Sequence, residues 1–105
     1  MAQFTVHENK NPETRSFVPL LLDVQTDLLS DLETRVVVPL RPVLALKGKV
    51  FKTLTPLVEV AGESFVMLTP ELAGIPRREL GSPVAHLKHL RTEILAALDF
   101  LVTGS

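Results

Sequence analysis

The chain contains no cysteine, no tryptophan and no tyrosine. Without cysteine there is no disulfide framework, no zinc ribbon, no thiol nucleophile and no iron–sulfur cluster. That absence fits a reducing compartment. Five phenylalanines supply all the aromatic rings, so few are available to stack on nucleic-acid bases. An excess of either charge is missing too: 11 Lys and Arg stand against 12 Asp and Glu. A protein that grips phosphate backbones usually carries a basic excess or stripe, so nucleic acid is not an expected partner. No apolar stretch approaches the roughly 20 residues that span a bilayer. The start, Met1-Ala2-Gln3-Phe4-Thr5-Val6-His7, has neither the basic nor the apolar region of a signal peptide. The expectation is a soluble cytoplasmic protein with no membrane contact, no cofactor and no metal.

What is present suits one domain over residues 1–105, with 46% hydrophobic and 22% charged residues. Residues Ala2 to His7 alternate apolar and polar, as a half-buried strand does. Glu8 to Ser16 is polar and aperiodic, which predicts an exposed loop. Phe17 to Val24 predicts a buried strand with Pro19 near its start. Arg35 to Leu40, with three consecutive valines, predicts another, and Pro39 suggests a sheet edge or bulge. Leu57 to Ala61 and Ser64 to Leu68 flank Gly62-Glu63, which predicts a type II′ hairpin. That register sets Val60 opposite Phe65 and Val58 opposite Met67.

Thr69-Pro70-Glu71 predicts one helical turn with Thr69 as its N-cap. A short strand is expected over Arg77 to Leu80. Ser82-Pro83 predicts the start of a helix of about five turns, whose stripe is Val84, Leu87, Leu90, Ile94, Leu98 and Leu101, with Gly104 as terminator. The fold class expected is α+β, β-rich, an antiparallel sheet followed by one long C-terminal helix.

Candidate chemistry is sparse. His86 and His89 would share a helix face, but solvated helix histidines are the preferred reading over a metal pair. Asp23, Gln25 and Asp27 alternate; the preferred reading is a polar strand end whose carboxylates bond the backbone. No nucleophile elbow, P-loop or glycine-rich phosphate loop occurs. Lys88 and Arg91 early in the expected helix, and Asp99 late, oppose the helix macrodipole, which a partner or second subunit would explain. Phe100-Leu101-Val102 keeps the helix end apolar almost to the last residue, which predicts docking onto the core, a second subunit or a target.

Taken in order, several motifs resemble the CcdB family, the toxins of CcdA/CcdB toxin–antitoxin modules. They are Gln3-Phe4-Thr5-Val6, Leu22-Asp23-Val24-Gln25-Thr26-Asp27-Leu28-Leu29 and Arg35-Val36-Val37-Val38-Pro39-Leu40. Gly62-Glu63-Ser64-Phe65, Met67-Leu68-Thr69, Ile75-Pro76 and the segment from Glu93-Ile94 to Gly104 complete the set. The resemblance implies an SH3-like-barrel type of antiparallel sheet and a homodimer. It implies no catalytic chemistry, so no enzyme. It implies binding to the A subunit of DNA gyrase, trapping of the cleaved-DNA complex, neutralisation by a CcdA-like antitoxin, and transcriptional autoregulation of the module.

The resemblance places the gyrase-binding residues at Thr103, Gly104 and Ser105, where the best-known plasmid member ends Trp-Gly-Ile and only the glycine matches. Loss of one buried aliphatic side chain at an interface costs on the order of 1–3 kcal/mol, about ten- to a hundredfold in affinity. Exposure and charge suggest Glu8, Asn9, Lys10, Asn11, Lys88 and Arg91 as antitoxin contacts. Two alternatives remain at this point. One is an endoribonuclease toxin of related fold, using Arg77, Arg78 and Asp23 or Asp27. The other is a non-toxic dimer that binds only the antitoxin.

Overall fold

The computed structural model describes residues 2–45 and 52–104. Seven strands and one helix organise them: β1 Thr5–Asn9, β2 Leu20–Asp23, β3 Thr34–Pro42, β4 Leu57–Val60, β5 Glu63–Met67, β6 Ala73–Pro76, β7 Leu80–His86 and α1 Arg91–Thr103. The strands form one curled antiparallel sheet in the order β4-β5-β3-β2-β1-β7, with β6 also on β3. The architecture is α+β, a half-barrel closed on one side by the C-terminal helix, as the sequence leads one to expect.

The curl gives the central strands two buried faces. On one, Val6, Leu22, Val38 and Leu40 pack with Phe4, Val58, Phe65, Met67, Leu87, Ile94 and Ala97. On the other, Leu21 and Val37 pack with Leu80 and Ile75. That is why Leu20 to Leu22 and Val36 to Val38 read as unbroken apolar runs rather than as alternation. β1 begins at Thr5, later than the alternation from Ala2 suggests. Phe4 takes a left-handed φ of 69° and donates its N–H to the Asp23 carbonyl at 2.6 Å, while Ala2 is exposed. His7 and Asn9, read as outward-facing and as loop, lie in β1 and are buried.

Pro39 sits in the central strand, not at an edge or bulge. It is opposite Leu21 on β2. On its other side β3 changes partner, pairing β6 through Val37 and β5 from Leu40 onward. The missing N–H therefore falls at the changeover, and the Pro39 carbonyl still accepts from Leu68 N–H at 2.9 Å.

The β4–β5 hairpin has the expected strands but a register two residues away from the expected one. Val58 faces Phe65 and Val60 faces Glu63. The turn is Ala61-Gly62, with φ of 53° and 81°. Two positive φ values mark a type I′ turn, whose twist matches the strands. A two-residue shift preserves the inward face, so Val58, Val60, Phe65 and Met67 remain buried.

The second half departs most from expectation. Ser82-Pro83 does not start a helix. It lies within strand β7, where His7 faces Pro83 and Val6 faces Ala85. Gly81 permits the close approach of β1, because a Cβ there would lie 2.8 Å from the Glu8 carbonyl. Pro83 is compatible with β7 because that strand is last in the sheet order. Arg77–Glu79 is a 3-10 turn rather than a strand. Thr69–Glu71 is also a 3-10 turn, but its cap residue is Leu68, and Thr69 is its first residue with a buried hydroxyl. The helix has 13 residues, not five turns, and follows a 3-10 turn at Lys88–Leu90. Of the expected stripe, Ile94 is buried and Leu90 and Leu98 pack partly on the core, while Val84 and Leu87 precede the helix. Gly104 terminates it in the left-handed conformation, as expected.

Candidate functional site

Asp23 ends strand β2 with Val24-Gln25 directly after it, and Arg35 precedes the valine run of β3 one strand away. The pairing of β2 with β3 brings them together inside the protein. Arg35 Nη2 lies 2.7 Å from Asp23 Oδ2, with both side chains at 0% exposure. Arg35 Nε donates to the same oxygen at 2.9 Å, and Nη2 also donates to the Gln25 carbonyl at 3.3 Å. Asp23 Oδ1 accepts from Gln25 N–H at 3.0 Å.

Gln25 then links this interior to the surface. Its Oε1 accepts from Val36 N–H and its Nε2 donates to the Leu29 carbonyl, each at 3.0 Å. The exposed 3-10 turn Asp27–Leu29 is thus tied to a buried ion pair. A second tie runs from Gln3 N–H to Asp27 Oδ1 at 2.8 Å. Leu28, at the tip, is 92% exposed. Asp23 and Asp27 are therefore not a cooperating carboxylate pair: one is sealed against Arg35 and the other holds a backbone N–H.

The C-terminal face lies on α1. Phe100 and Leu101 are partly exposed and Val102 is 81% exposed. The Thr103 hydroxyl donates back to the Asp99 carbonyl at 2.8 Å, and Gly104 N–H caps the Phe100 carbonyl at 2.9 Å. Thr103 and Gly104 are both exposed, and Ser105 lies outside the described residues.

The six residues singled out for charge and exposure fall in two places. Glu8, Asn9 and Lys10 line a hollow with Arg15, Pro19 and Leu20, and Lys10 with Asn11 borders Arg78 and Glu79. Asn9 is only 7% exposed and organises the loop after β1. Its Nδ2 donates to Thr14 Oγ1 at 3.0 Å and the Val18 carbonyl at 2.9 Å, and its Oδ1 accepts from Asn11 N–H at 3.0 Å. Lys88 and Arg91 instead meet across a notch with Gln3, Phe4 and Asp27. The Arg91 guanidinium stands 5.7 Å from the centre of the Phe4 ring.

His86 is on β7 and His89 in the following 3-10 turn, so they do not share a helix face. No group of three potential metal ligands occurs among the described residues. No helix among them is long and apolar enough to cross a membrane.

Sequence reasoning missed the Asp23–Arg35–Gln25 network. The available signal was an arginine directly before three valines, where a charge in an otherwise apolar strand needs a buried partner. The described surface carries an apolar helix end and an exposed leucine turn tied to the interior through Gln25, while the Asp23 carboxylate is sealed inside. The family model for the CcdB protein matches residues 3–104, and the chain belongs to the CcdB family.

Proposed function

We propose that this member of the CcdB family, the toxin component of a toxin–antitoxin module, acts in the cytoplasm as a homodimer that binds the A subunit of DNA gyrase, traps the cleaved-DNA complex, and is released by a CcdA-like antitoxin. It performs no catalysis of its own. The observation that carries this reading is the apolar end of α1, where Phe100, Leu101 and Val102 stay exposed beside Thr103 and Gly104. Apolar side chains held in water at a helix end favour a docked state, whether on a target or a second subunit.

Thr103, Gly104 and Ser105 are assigned to gyrase. Glu8, Lys10, Lys88 and Arg91 are exposed and are assigned to the antitoxin, with Asn9 and Asn11 shaping the loop that presents the first two. The endoribonuclease alternative loses its acid at Asp23, which is enclosed against Arg35.

The test is a titration of the protein against a fragment of the gyrase A subunit, beside the Ser105→Ile variant, with growth of a sensitive bacterium expressing each. Binding and growth arrest support the reading, and the variant should bind about ten- to a hundredfold tighter. Soluble protein that neither binds nor arrests growth would sink it. Tight antitoxin binding without gyrase binding in the same protein would establish the non-toxic dimer, which the polar Ser105 favours.

A further inference from the structure

One flank of α1, at the rim of the core, is polarised together with the 3-10 turn that precedes the helix. At its start Lys88 and Arg91 border the notch containing Phe4 and Asp27. Arg91 also heads a shallow groove that runs past Leu95 and Leu98 to Asp99 and Val102. Arg91 lines both the notch and the groove. Arg91 and Asp99 are eight positions apart, about 12 Å along a helix. The middle of the surface is apolar.

These charges are not used inside the molecule. Among the described residues none of Lys88, Arg91 and Asp99 enters an ion pair. Arg91, the first residue of α1, and Asp99, near its end, each oppose the helix macrodipole, while Glu93 in the first turn follows it. Stacking over Phe4 fixes where the Arg91 guanidinium points but does not neutralise it.

We propose that this face selects a partner segment of opposite polarity. That segment carries a carboxylate side chain that seats between Lys88 and Arg91. It carries a cation about 12 Å further along that meets Asp99, and aliphatic residues between them on Leu95, Leu98 and Val102. Lys88, Arg91 and Asp99 are then specificity-determining residues: they reject a segment of reversed charge order while the apolar middle supplies the contact area. The proposal rests on the reading of Lys88 and Arg91 as partner contacts and deepens it by giving the partner's charge order.

The test pans a displayed library of random 16-residue peptides on the purified full chain and on the triple variant Lys88→Glu/Arg91→Glu/Asp99→Arg. On the natural chain the enriched peptides should carry Asp or Glu at one end, Lys or Arg at the other, and Leu, Ile or Val between. On the variant the enriched order should reverse. A peptide selected on the natural chain should bind the variant at least tenfold more weakly, and that gap should narrow as salt rises. Its binding should shift the amide resonances of Phe4, Arg91 and Leu95.

Peptides without charge order, or peptides that bind both proteins equally, overturn the proposal. So does self-association through this face, seen as a dimer lost in Arg91→Glu and regained when Asp99→Arg is added. All substitutions are on exposed residues, and circular dichroism checks that the variant is folded. Failure to bind gyrase would remove the gyrase reading and leave this result standing. Loss of peptide charge order beside intact gyrase binding would do the reverse.

Discussion

Two regions of this protein use the same residue types for opposite ends. At the inner end of β2 and β3, Asp23, Arg35 and Gln25 are buried and bonded to one another and to the backbone. At the surface, Lys88 in the turn before α1 and Arg91 and Asp99 on α1 are exposed and lack ionic partners among the described residues. The inner charges were stripped of water when the sheet closed, so each requires its partner. The outer charges keep their water, so they can be changed or matched by another molecule at little cost to the fold. Burial, not residue type, separates the structural charge from the recognition charge.

The comparison breaks first at Arg35. Arg35→Leu leaves the Asp23 carboxylate buried and unpaired and should cost about 3–5 kcal/mol in urea unfolding. Pairing it with Asp23→Leu should recover much of that loss, because two apolar side chains leave no stranded charge. If the single substitution costs under about 1 kcal/mol, the pair does not hold the sheet as described.

The next contrast lies within α1 itself. Ile94 is fully buried and Val102 mostly exposed. Ile94→Ala should cost about 2–5 kcal/mol by leaving a cavity under the helix. Val102→Ala should leave the unfolding midpoint within about 0.5 kcal/mol of the natural chain while weakening partner binding. Equal losses of stability in the two variants would mean that the helix end packs on its own core.

A smaller effect, of opposite sign, is expected at the hairpin. Ala61 pays for its left-handed φ of 53°. Ala61→Gly should raise stability by about 0.5–1 kcal/mol, read as a higher melting temperature. A fall would mean that the methyl group packs against something in the folded state.

The smallest effect belongs to the outer charges. Arg91→Glu loses the stack on Phe4, about 0.5–1 kcal/mol at an exposed site, and gains a favourable acid at a helix start, about 0.3–1 kcal/mol. The net change by denaturant titration should stay under about 0.5 kcal/mol.

The same contrast explains what could be read in advance. Strands β2 and β3 were legible because their apolar runs are too short for helices and rich in Val and Leu. The Gly62 turn was legible as a hairpin, but its register was not. Gly62 suits either turn position locally, and only the twist of the paired strands places it second. From Ser82 onward β7 reads as helix, because Ser82-Pro83 is a genuine helix-start signal in isolation. The pairing of those residues with β1 outweighs that local signal. Of the residues proposed as contacts, Thr103, Gly104, Lys88 and Arg91 are exposed, whereas Asn9 is buried and organises its loop, a difference that residue type alone does not carry.

The sequence by itself determined the class of this protein. The strand patterning and the apolar C-terminal helix are properties of the chain alone and suffice for an α+β fold, and the order of motifs suffices for the resemblance to the CcdB family. Only the tertiary structure decided which charges work inside and which outside. Asp23 and Asp27 sit four residues apart in one polar stretch, yet one meets Arg35 in the interior and the other a backbone N–H at the surface. That sorting depends on long-range strand pairing and on the loss of water it imposes, and neither is encoded in local spacing.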